Sequence, residues 1–102
     1  MIDVICSNMK AVSLIGERIV LDDDCFVELI VWQLPAPSKG SGHNFKYRLA
    51  LVADGVCVMR YDNETGKGDH KHVGEIEHVY NFAGLDQLQR DFWNDVERWR
   101  QQ

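Results

Sequence analysis

Two runs of residues separated by Asp54-Gly55 constrain the fold of this chain more than any other feature. Phe45–Ala53 and Val56–Tyr61 are both rich in apolar residues. Asp-Gly between two such runs favours a two-residue β-hairpin turn, because glycine adopts positive φ at little cost. If the register stays regular, this turn places Leu51 opposite Val58. The pattern therefore predicts a β-hairpin at the centre of the chain.

The two ends of this hairpin differ in polarity. A regular register continues with Leu49 opposite Arg60 and Arg48 opposite Tyr61, so that both faces are apolar near the turn and polar far from it. We therefore expect the turn end to be buried. The open end is expected to carry a cluster of charged and aromatic side chains: Lys46, Arg48, Arg60, Tyr61 and Asp62.

A second hairpin is predicted in the first third of the chain. Three acidic residues, Asp22–Asp24, separate Glu17–Leu21 from Cys25–Leu34, and acidic turn residues between apolar runs are typical of a hairpin. Pro35 ends the second strand, because proline cannot donate a hydrogen bond to a ladder. The polar connection Ser38–Asn44 is expected to be the least ordered segment.

The C-terminal residues 85–102 have the periodicity of an amphipathic helix. Apolar side chains recur at spacings of three and four: Leu85, Leu88, Phe92, Val96 and Trp99, with Trp93 widening the stripe. A further strand is predicted at His72–Tyr80, although Gly74 weakens it. The prediction is a single α+β domain over residues 1–102: a variable N-terminal segment (1–16), an antiparallel sheet of four to five strands (17–80), and a helix (85–102) packed on one face.

Charge is distributed unevenly along the 102 residues. The formal net charge is −5, which argues against a protein that coats nucleic acid with its whole surface. Residues 39–71 nevertheless carry six Lys or Arg against four Asp or Glu, a surplus of two positive charges, and include His43 and His70. An anionic ligand is therefore expected to bind in this middle third.

Features of secreted and membrane proteins are missing from the sequence. Asp3 stands where a secretory signal would be basic, and Lys10 interrupts the first apolar stretch. No apolar run approaches the ~18 residues of a membrane span. Cys6, Cys25 and Cys57 form no C-x-x-C pair. We expect a cytoplasmic protein with reduced thiols and no membrane association, in which Cys57 is buried and inert.

Residues 60–72 (RYDNETGKGDHKH) carry many chemically functional side chains and are predicted to form a loop over 62–71. One interpretation is cleavage of RNA without a metal or cofactor, which needs a base, an acid and cations around the phosphate. The candidates for proton transfer are His70 and His72, with Asp69 orienting a histidine and Tyr61 as a weaker candidate. The phosphate would be bound by Arg48, Arg60 and Lys67, helped by the backbone at Gly66 and Gly68.

Two other interpretations of the same residues stay open. His70 and His72 alternate along the chain, so on an extended segment both imidazoles point to one side, where Asp69 or His78 could complete a metal site. The segment could also be a solvated loop whose glycines only form turns. Its position next to Arg48 and the other polar residues of the hairpin favours a functional role.

The sequence resembles the TumE-type family of small bacterial proteins, the toxins of TumE–TumA toxin–antitoxin modules. The resemblance lies in Tyr47-Arg48-Leu49, Asp54-Gly55 and Arg60–Glu64, and above all in Gly66-Lys67-Gly68-Asp69-His70-Lys71-His72. It continues through Tyr80-x-Phe82 and Asp91–Val96, and covers roughly residues 17–100. Family members tend to have Ser or Thr where Gly84 stands, and glycine is a slightly weaker helix N-cap. The first residues look unlike the family's shorter start, and Met9 is an alternative initiator.

The resemblance implies a cytoplasmic toxin that is neutralised by a cognate antitoxin, itself a small helix-turn-helix DNA-binding protein. It supplies no catalytic residues. RNA cleavage by an endoribonuclease is our hypothesis from the chemistry of residues 60–72. The alternatives are a non-catalytic module that binds RNA or protein, and a metal-dependent nuclease or hydrolase. An exposed edge strand would also allow a homodimer.

Overall fold

A computed structural model of the protein describes residues 11–37, 41–64 and 66–102. One antiparallel sheet contains six strands in the order of the sequence, and one helix follows them. The elements are β1 (Val12–Asp22), β2 (Cys25–Gln33), β3 (Phe45–Ala53), β4 (Val56–Glu64), β5 (Gly68–Val73), β6 (Ile76–Val79) and α1 (Leu85–Arg100). The predicted α+β architecture is confirmed, with a strand count slightly above the expected four to five.

The additional strand comes from two segments that were predicted differently. Most of the expected loop 62–71 is extended: β4 runs on to Glu64 and β5 begins at Gly68. The expected single strand His72–Tyr80 is divided at Gly74, whose φ of 62° forms a turn between β5 and β6. The glycines in these segments therefore close hairpins rather than mark a long loop. Residues 38–40 of the connection expected to be least ordered lie outside the described residues, as does Cys6.

The hairpin predicted in the first third of the chain is confirmed, and it defines the two faces of the sheet. β1 pairs with β2 across the acidic turn. Along β2, Val27, Leu29 and Val31 are buried, whereas their neighbours Phe26 and Trp32 on the other face are only partly so. We call the first side the helix face, because α1 packs on it, and the second side the open face.

The central hairpin has the predicted turn but not the predicted register. Asp54 and Gly55 have φ values of 53° and 77°, as a two-residue hairpin turn of this type requires. Beyond the first two pairs, a β-bulge leaves Val58 without a partner, so that Leu51 pairs with Met59 instead of Val58. The expected regular register is therefore wrong from this point on, and every later side chain of β4 lies on the opposite face from the one expected.

The turn end of the central hairpin is exposed, contrary to the prediction that it is buried. Val56 and Cys57 are both exposed. Cys57 pairs with Val52 and so lies on the open face, away from the helix. The predicted buried thiol at Cys57 is therefore wrong, whereas Cys25, on the helix face, is buried; both thiols are free.

The core lies between the helix face and α1. Leu88, Phe92 and Val96 of the predicted apolar stripe are buried, and Trp93 and Trp99 pack against the core at its margin. Burial of such side chains contributes about 1.5–3 kcal/mol each, which holds the helix in place over the strands. No helix in the described part of the chain combines the length and hydropathy needed to cross a membrane.

Candidate functional site

The bulge at Val58 determines which side chains can meet on the open face. It turns Arg60 and Asp62 toward this face, where they pair with His72 and His70 of β5. In β6, Glu77 pairs with His72. These five residues from three neighbouring strands form what we call the histidine cluster: Arg60, Asp62, His70, His72 and Glu77.

The two histidines of the cluster share one carboxylate. Oε2 of Glu77 lies 3.6 Å from Nε2 of His70 and 4.0 Å from Nε2 of His72. Nδ1 of His70 is 3.2 Å from the carbonyl oxygen of Gly68, and because a carbonyl oxygen only accepts, Nδ1 is the donor of this hydrogen bond. Nε2 of His72 also lies 4.0 Å from Oδ1 of Asp62. Each imidazole therefore directs its Nε2 toward carboxylates on the open face.

Arginine side chains flank the histidines on the open face. Nε of Arg60 donates a 2.9 Å hydrogen bond to Oδ2 of Asp62. Within the described residues the terminal amino groups of Arg60 have no hydrogen-bond partner, so they can form a fork for an anion. Arg48 pairs with Asp62 in the sheet register and lies 3.4 Å from Oε1 of Glu28. The cations expected from the sequence are thus next to the histidines.

The glycine-flanked Lys67 lies in the turn between β4 and β5. Gly66 and Gly68 have φ values of 86° and 80°, which explains the need for glycine at both positions. The ammonium of Lys67 lies 3.3 Å from the Glu64 carboxylate and 3.7 Å from Glu77. The Glu64 carboxylate, which hydrogen-bonds Lys67, raises the pKa of that lysine, and Lys67 in turn lowers the pKa of Glu64. Lys67 therefore adds positive charge at the margin of the histidine cluster.

Asp69 lies on the helix face, away from His70 and His72. Its Oδ2 accepts hydrogen bonds from Nε2 of His43 at 2.8 Å and from the Tyr47 hydroxyl at 2.7 Å. Nδ1 of His43 accepts the backbone N–H of Phe45, so Nε2 carries the proton and His43 cannot act as a base there. Asp69 thus orients a histidine, but the histidine is His43, which stacks on a phenyl ring and belongs to the core margin.

Tyr61 is also separated from the histidines by the sheet. It is buried on the helix face, and its hydroxyl donates a 2.5 Å hydrogen bond to Oδ2 of Asp95 in α1. Burial, followed by the hydrogen bond to Asp95, raises the pKa of Tyr61 far above its ordinary value. Its expected place beside Arg60 at the open end of the hairpin is lost because the bulge reverses the faces of β4.

The metal interpretation finds little geometric support. Asp69 is on the opposite face from His70 and His72, and His78 pairs with Lys71 on the helix face. Throughout 11–37, 41–64 and 66–102, no group of three or more His, Cys, Asp or Glu side chains is placed to hold a metal ion.

Two members of the site were not identified from the sequence. Glu77 lies close to both histidines, yet in the sequence it is one of two glutamates in a short apolar–polar alternation. Asp62 was assigned only to a general polar cluster. The signal that could have found Glu77 is the Gly74-Glu75 turn, because a two-residue turn there places Glu77 opposite His72.

Comparison with known proteins identifies the family. The family model described as Toxin TumE matches residues 9–100. The chain belongs to the TumE toxin family. This TumE-family protein is therefore the toxin component of a toxin–antitoxin module, which implies a cognate antitoxin as its partner. Neither a search of curated proteins nor a search of solved structures finds a match.

Proposed function

We propose that this TumE-family toxin arrests growth by cleaving RNA at the histidine cluster, without a metal ion. The observation that carries the proposal is the shared position of His70 and His72 on the open face, where Nε2 of each lies within 4.0 Å of the Glu77 carboxylate. Arg60 supplies the adjacent positive charge. RNA needs no external nucleophile, because its own 2′-hydroxyl can attack the neighbouring phosphate.

The reaction requires two proton transfers, and the cluster offers a group for each. Nε2 of His70 takes the proton of the 2′-hydroxyl while that oxygen attacks phosphorus. The bond between phosphorus and the 5′ oxygen then breaks, and His72 gives its Nε2 proton to that oxygen. The products are a 2′,3′-cyclic phosphate and a 5′-hydroxyl, and the exchange of protons leaves the two histidines in opposite states.

Cations of the open face stabilise the charge that develops on the phosphate. The terminal amino groups of Arg60 would bind two phosphate oxygens, with Arg48 beside them and Lys67 at the turn. In this scheme Glu77 is a positioning residue, because its carboxylate holds both imidazoles on the same side of the sheet. Asp69 and Tyr61 have structural roles on the helix face.

The antitoxin and the site of action complete the proposal. We infer that the toxin acts in the cytoplasm, where RNA is its substrate, and that the antitoxin is a small helix-turn-helix protein that binds DNA. Since the toxin's net charge is −5, a basic antitoxin would be attracted to it at long range.

The test is RNA cleavage by purified toxin in the presence of a chelator. Wild-type protein and a His78→Ala control should produce fragments with 2′,3′-cyclic phosphate ends, whereas His70→Ala, His72→Ala and Arg60→Ala should each lower the cleavage rate by about 10²-fold or more. His78 is a matched control, because it is exposed in the same hairpin but on the helix face.

Three results would contradict the proposal. One is RNA binding without turnover, which is the behaviour of a non-catalytic module. Another is activity that chelator removes and added metal restores. The third is full growth arrest by both His70→Ala and Arg60→Ala proteins whose circular dichroism spectra show that they are folded.

A further inference from the structure

The outer strand β6 has the features of a docking edge. All four of its residues are exposed, and two of them are apolar: Ile76 with 62% and Val79 with 77% of their surface accessible. Among the described strands β6 pairs with β5 only. An exposed, regular and apolar strand edge is a template for pairing with another chain.

The backbone of β6 offers hydrogen-bonding groups on this edge. The N–H of Tyr80 donates to the carbonyl of Asp69, so it points inward to β5. In an antiparallel pair the inward and outward groups alternate along the strand. The N–H groups of Glu77 and Val79 therefore point outward, away from β5, and can pair with an added strand.

A groove beside this edge provides room for side chains. It has a volume of about 450 Å³ and lies between β5–β6 and the C-terminal part of α1. Met59, Val73 and Trp99 contribute apolar surface, and Lys71 and Arg98 contribute positive charge. A segment lying along β6 could place alternate side chains into this groove, because side chains of a strand point to opposite faces in turn.

The unneutralised charge at the groove is positive. The carboxylate of Asp95 already accepts hydrogen bonds from Tyr61, Lys71 and Arg98. The Arg98 side chain is nevertheless 72% exposed, and His78 is exposed beside it. The toxin as a whole is acidic, but at this groove a segment with apolar and acidic side chains fits better than a basic one.

We propose that an extended segment of the cognate antitoxin, with apolar and acidic side chains on the face turned toward the groove, adds to β6 as a seventh strand. On that face, apolar side chains would pack on Ile76 and in the groove, and acidic side chains would lie near Lys71 and Arg98. Because Glu77 belongs both to β6 and to the histidine cluster, the added strand would also lie next to the cluster. That this placement blocks catalysis rests on the proposed function; the docking itself does not.

The opposite edge of the sheet is a poorer docking site. β1 has two register irregularities in its pairing with β2, and such bulges distort an edge against regular pairing. The acidic turn at its end would repel an acidic segment. β1 nevertheless contains Val20, a valine with 70% exposure on an outer strand. This residue supplies a control matched to Val79 in type, exposure and setting.

The test measures binding of the toxin to the purified antitoxin, taken as the product of the neighbouring reading frame that restores growth when co-expressed. Ile76→Glu and Val79→Glu should each weaken binding at least tenfold, because a carboxylate would replace a buried anchor. Val20→Glu should change it by less than about twofold. Hydrogen exchange of the wild-type complex should show protection at the amides of Glu77 and Val79.

The Ile76→Glu toxin should still arrest growth, and the antitoxin should no longer restore it, because Ile76 lies on the helix face, away from the histidine cluster. Val79 pairs with His70, so the Val79→Glu toxin is compared in antitoxin binding only. The proposal would be overturned if both β6 variants bound the antitoxin with wild-type affinity, or if Val20→Glu weakened antitoxin binding as much as they do. A homodimer that Val79→Glu dissociates while antitoxin binding persists would also overturn it. A failure of the ribonuclease proposal would appear separately, as toxin that binds the antitoxin through β6 but does not cleave RNA.

Discussion

The Tyr61 hydroxyl and the Asp95 carboxylate join the sheet to the helix through a 2.5 Å hydrogen bond. The same carboxylate oxygen accepts a 2.8 Å bond from Lys71 of the neighbouring strand. Two adjacent strands are thereby tied to one position of α1. This bond explains why Tyr61, an attractive residue for chemistry in the sequence, belongs to the architecture of the protein.

Replacing Tyr61 with Phe should therefore affect stability more than activity. Loss of a hydrogen bond to a buried charged group costs about 1.5–3 kcal/mol of unfolding free energy. Urea unfolding should show this decrease, whereas growth arrest at permissive temperature should persist. A Tyr61→Phe protein with wild-type stability and no toxicity would instead place the hydroxyl in the active site.

Asp95 should make the protein sensitive to acid. Burial by itself raises the pKa of Asp95, but hydrogen bonds from Lys71 and Tyr61 outweigh it, and the net pKa is lowered. A lowered folded-state pKa contributes stability that is complete above the ordinary value of about 3.9 and is lost as pH falls through the folded value.

The Asp95→Asn variant should therefore lose less stability than wild type when the pH falls from about 5 to 2. Urea midpoints across this range measure the difference. Asp86→Asn, which removes an exposed carboxylate of the same helix, should keep the wild-type slope. Parallel curves for wild type and Asp95→Asn would contradict the assigned role.

Asp69 and His43 should behave as a coupled structural pair. Their 2.8 Å bond lies on the helix face, and both side chains are largely buried. Asp69→Asn and His43→Ala should each lower unfolding free energy by about 2–3 kcal/mol. In a double-mutant cycle the two losses should be less than additive by about 0.5–3 kcal/mol. Full additivity would show that the contact does not stabilise the fold.

Gly84 should resist substitution by the hydroxyl residues typical of helix N-caps. Its φ of 108° and ψ of 163° lie in a region that only glycine adopts readily. Gly84→Ser should lower unfolding free energy by about 1–3 kcal/mol rather than raise it. Gly42→Ser, at a glycine without positive φ, should change it by less than about 0.5 kcal/mol. A stabilised Gly84→Ser protein would mean that the chain can adopt an ordinary N-cap.

The exposed position of Cys57 predicts selective thiol labelling. A maleimide should modify Cys57 in the native protein and leave Cys25 unmodified until the protein unfolds. Peptide mass mapping distinguishes the two sites. Rapid native labelling of Cys25 would contradict its burial on the helix face.

Local sequence patterns were sufficient to predict most of the secondary structure. The spacing of Leu88, Phe92 and Val96 fixed the helix and its buried face, and Asp54-Gly55 fixed the central turn. The segment around Gly66 was harder, because glycine is equally common in long loops and in tight turns. Only the pairing of β4 with β5 makes the difference.

Three of the five residues of the histidine cluster were predicted from the sequence as site residues, and the geometry of the site was predicted only in part. His70, His72 and Arg60 do meet on one face. Asp69 and Tyr61 do not join them. The bulge places Tyr61 on the opposite face of the sheet from the cluster. The local sequence did not predict the bulge, because the regular register and the bulged register both pair apolar residues near the turn. His43 lies in the polar connection between β2 and β3, and its hydrogen-bond partner Asp69 is 26 residues away, so no local pattern links the two.

Val58 divides β4 into two segments that obey different alternation rules. Before Val58, even-numbered residues lie on the helix face and odd-numbered residues on the open face. After Val58, the odd-numbered residues lie on the helix face and the even-numbered residues on the open face. Deleting this one residue would remove the bulge without reversing the faces, because Met59 would follow Cys57 directly and could still pair with Leu51. Tyr61 would stay beneath the helix, and Arg60 would stay on the open face. What the fold excludes is a regular pairing of Val58 with Leu51, which would carry Tyr61 to the open face and Arg60 beneath the helix.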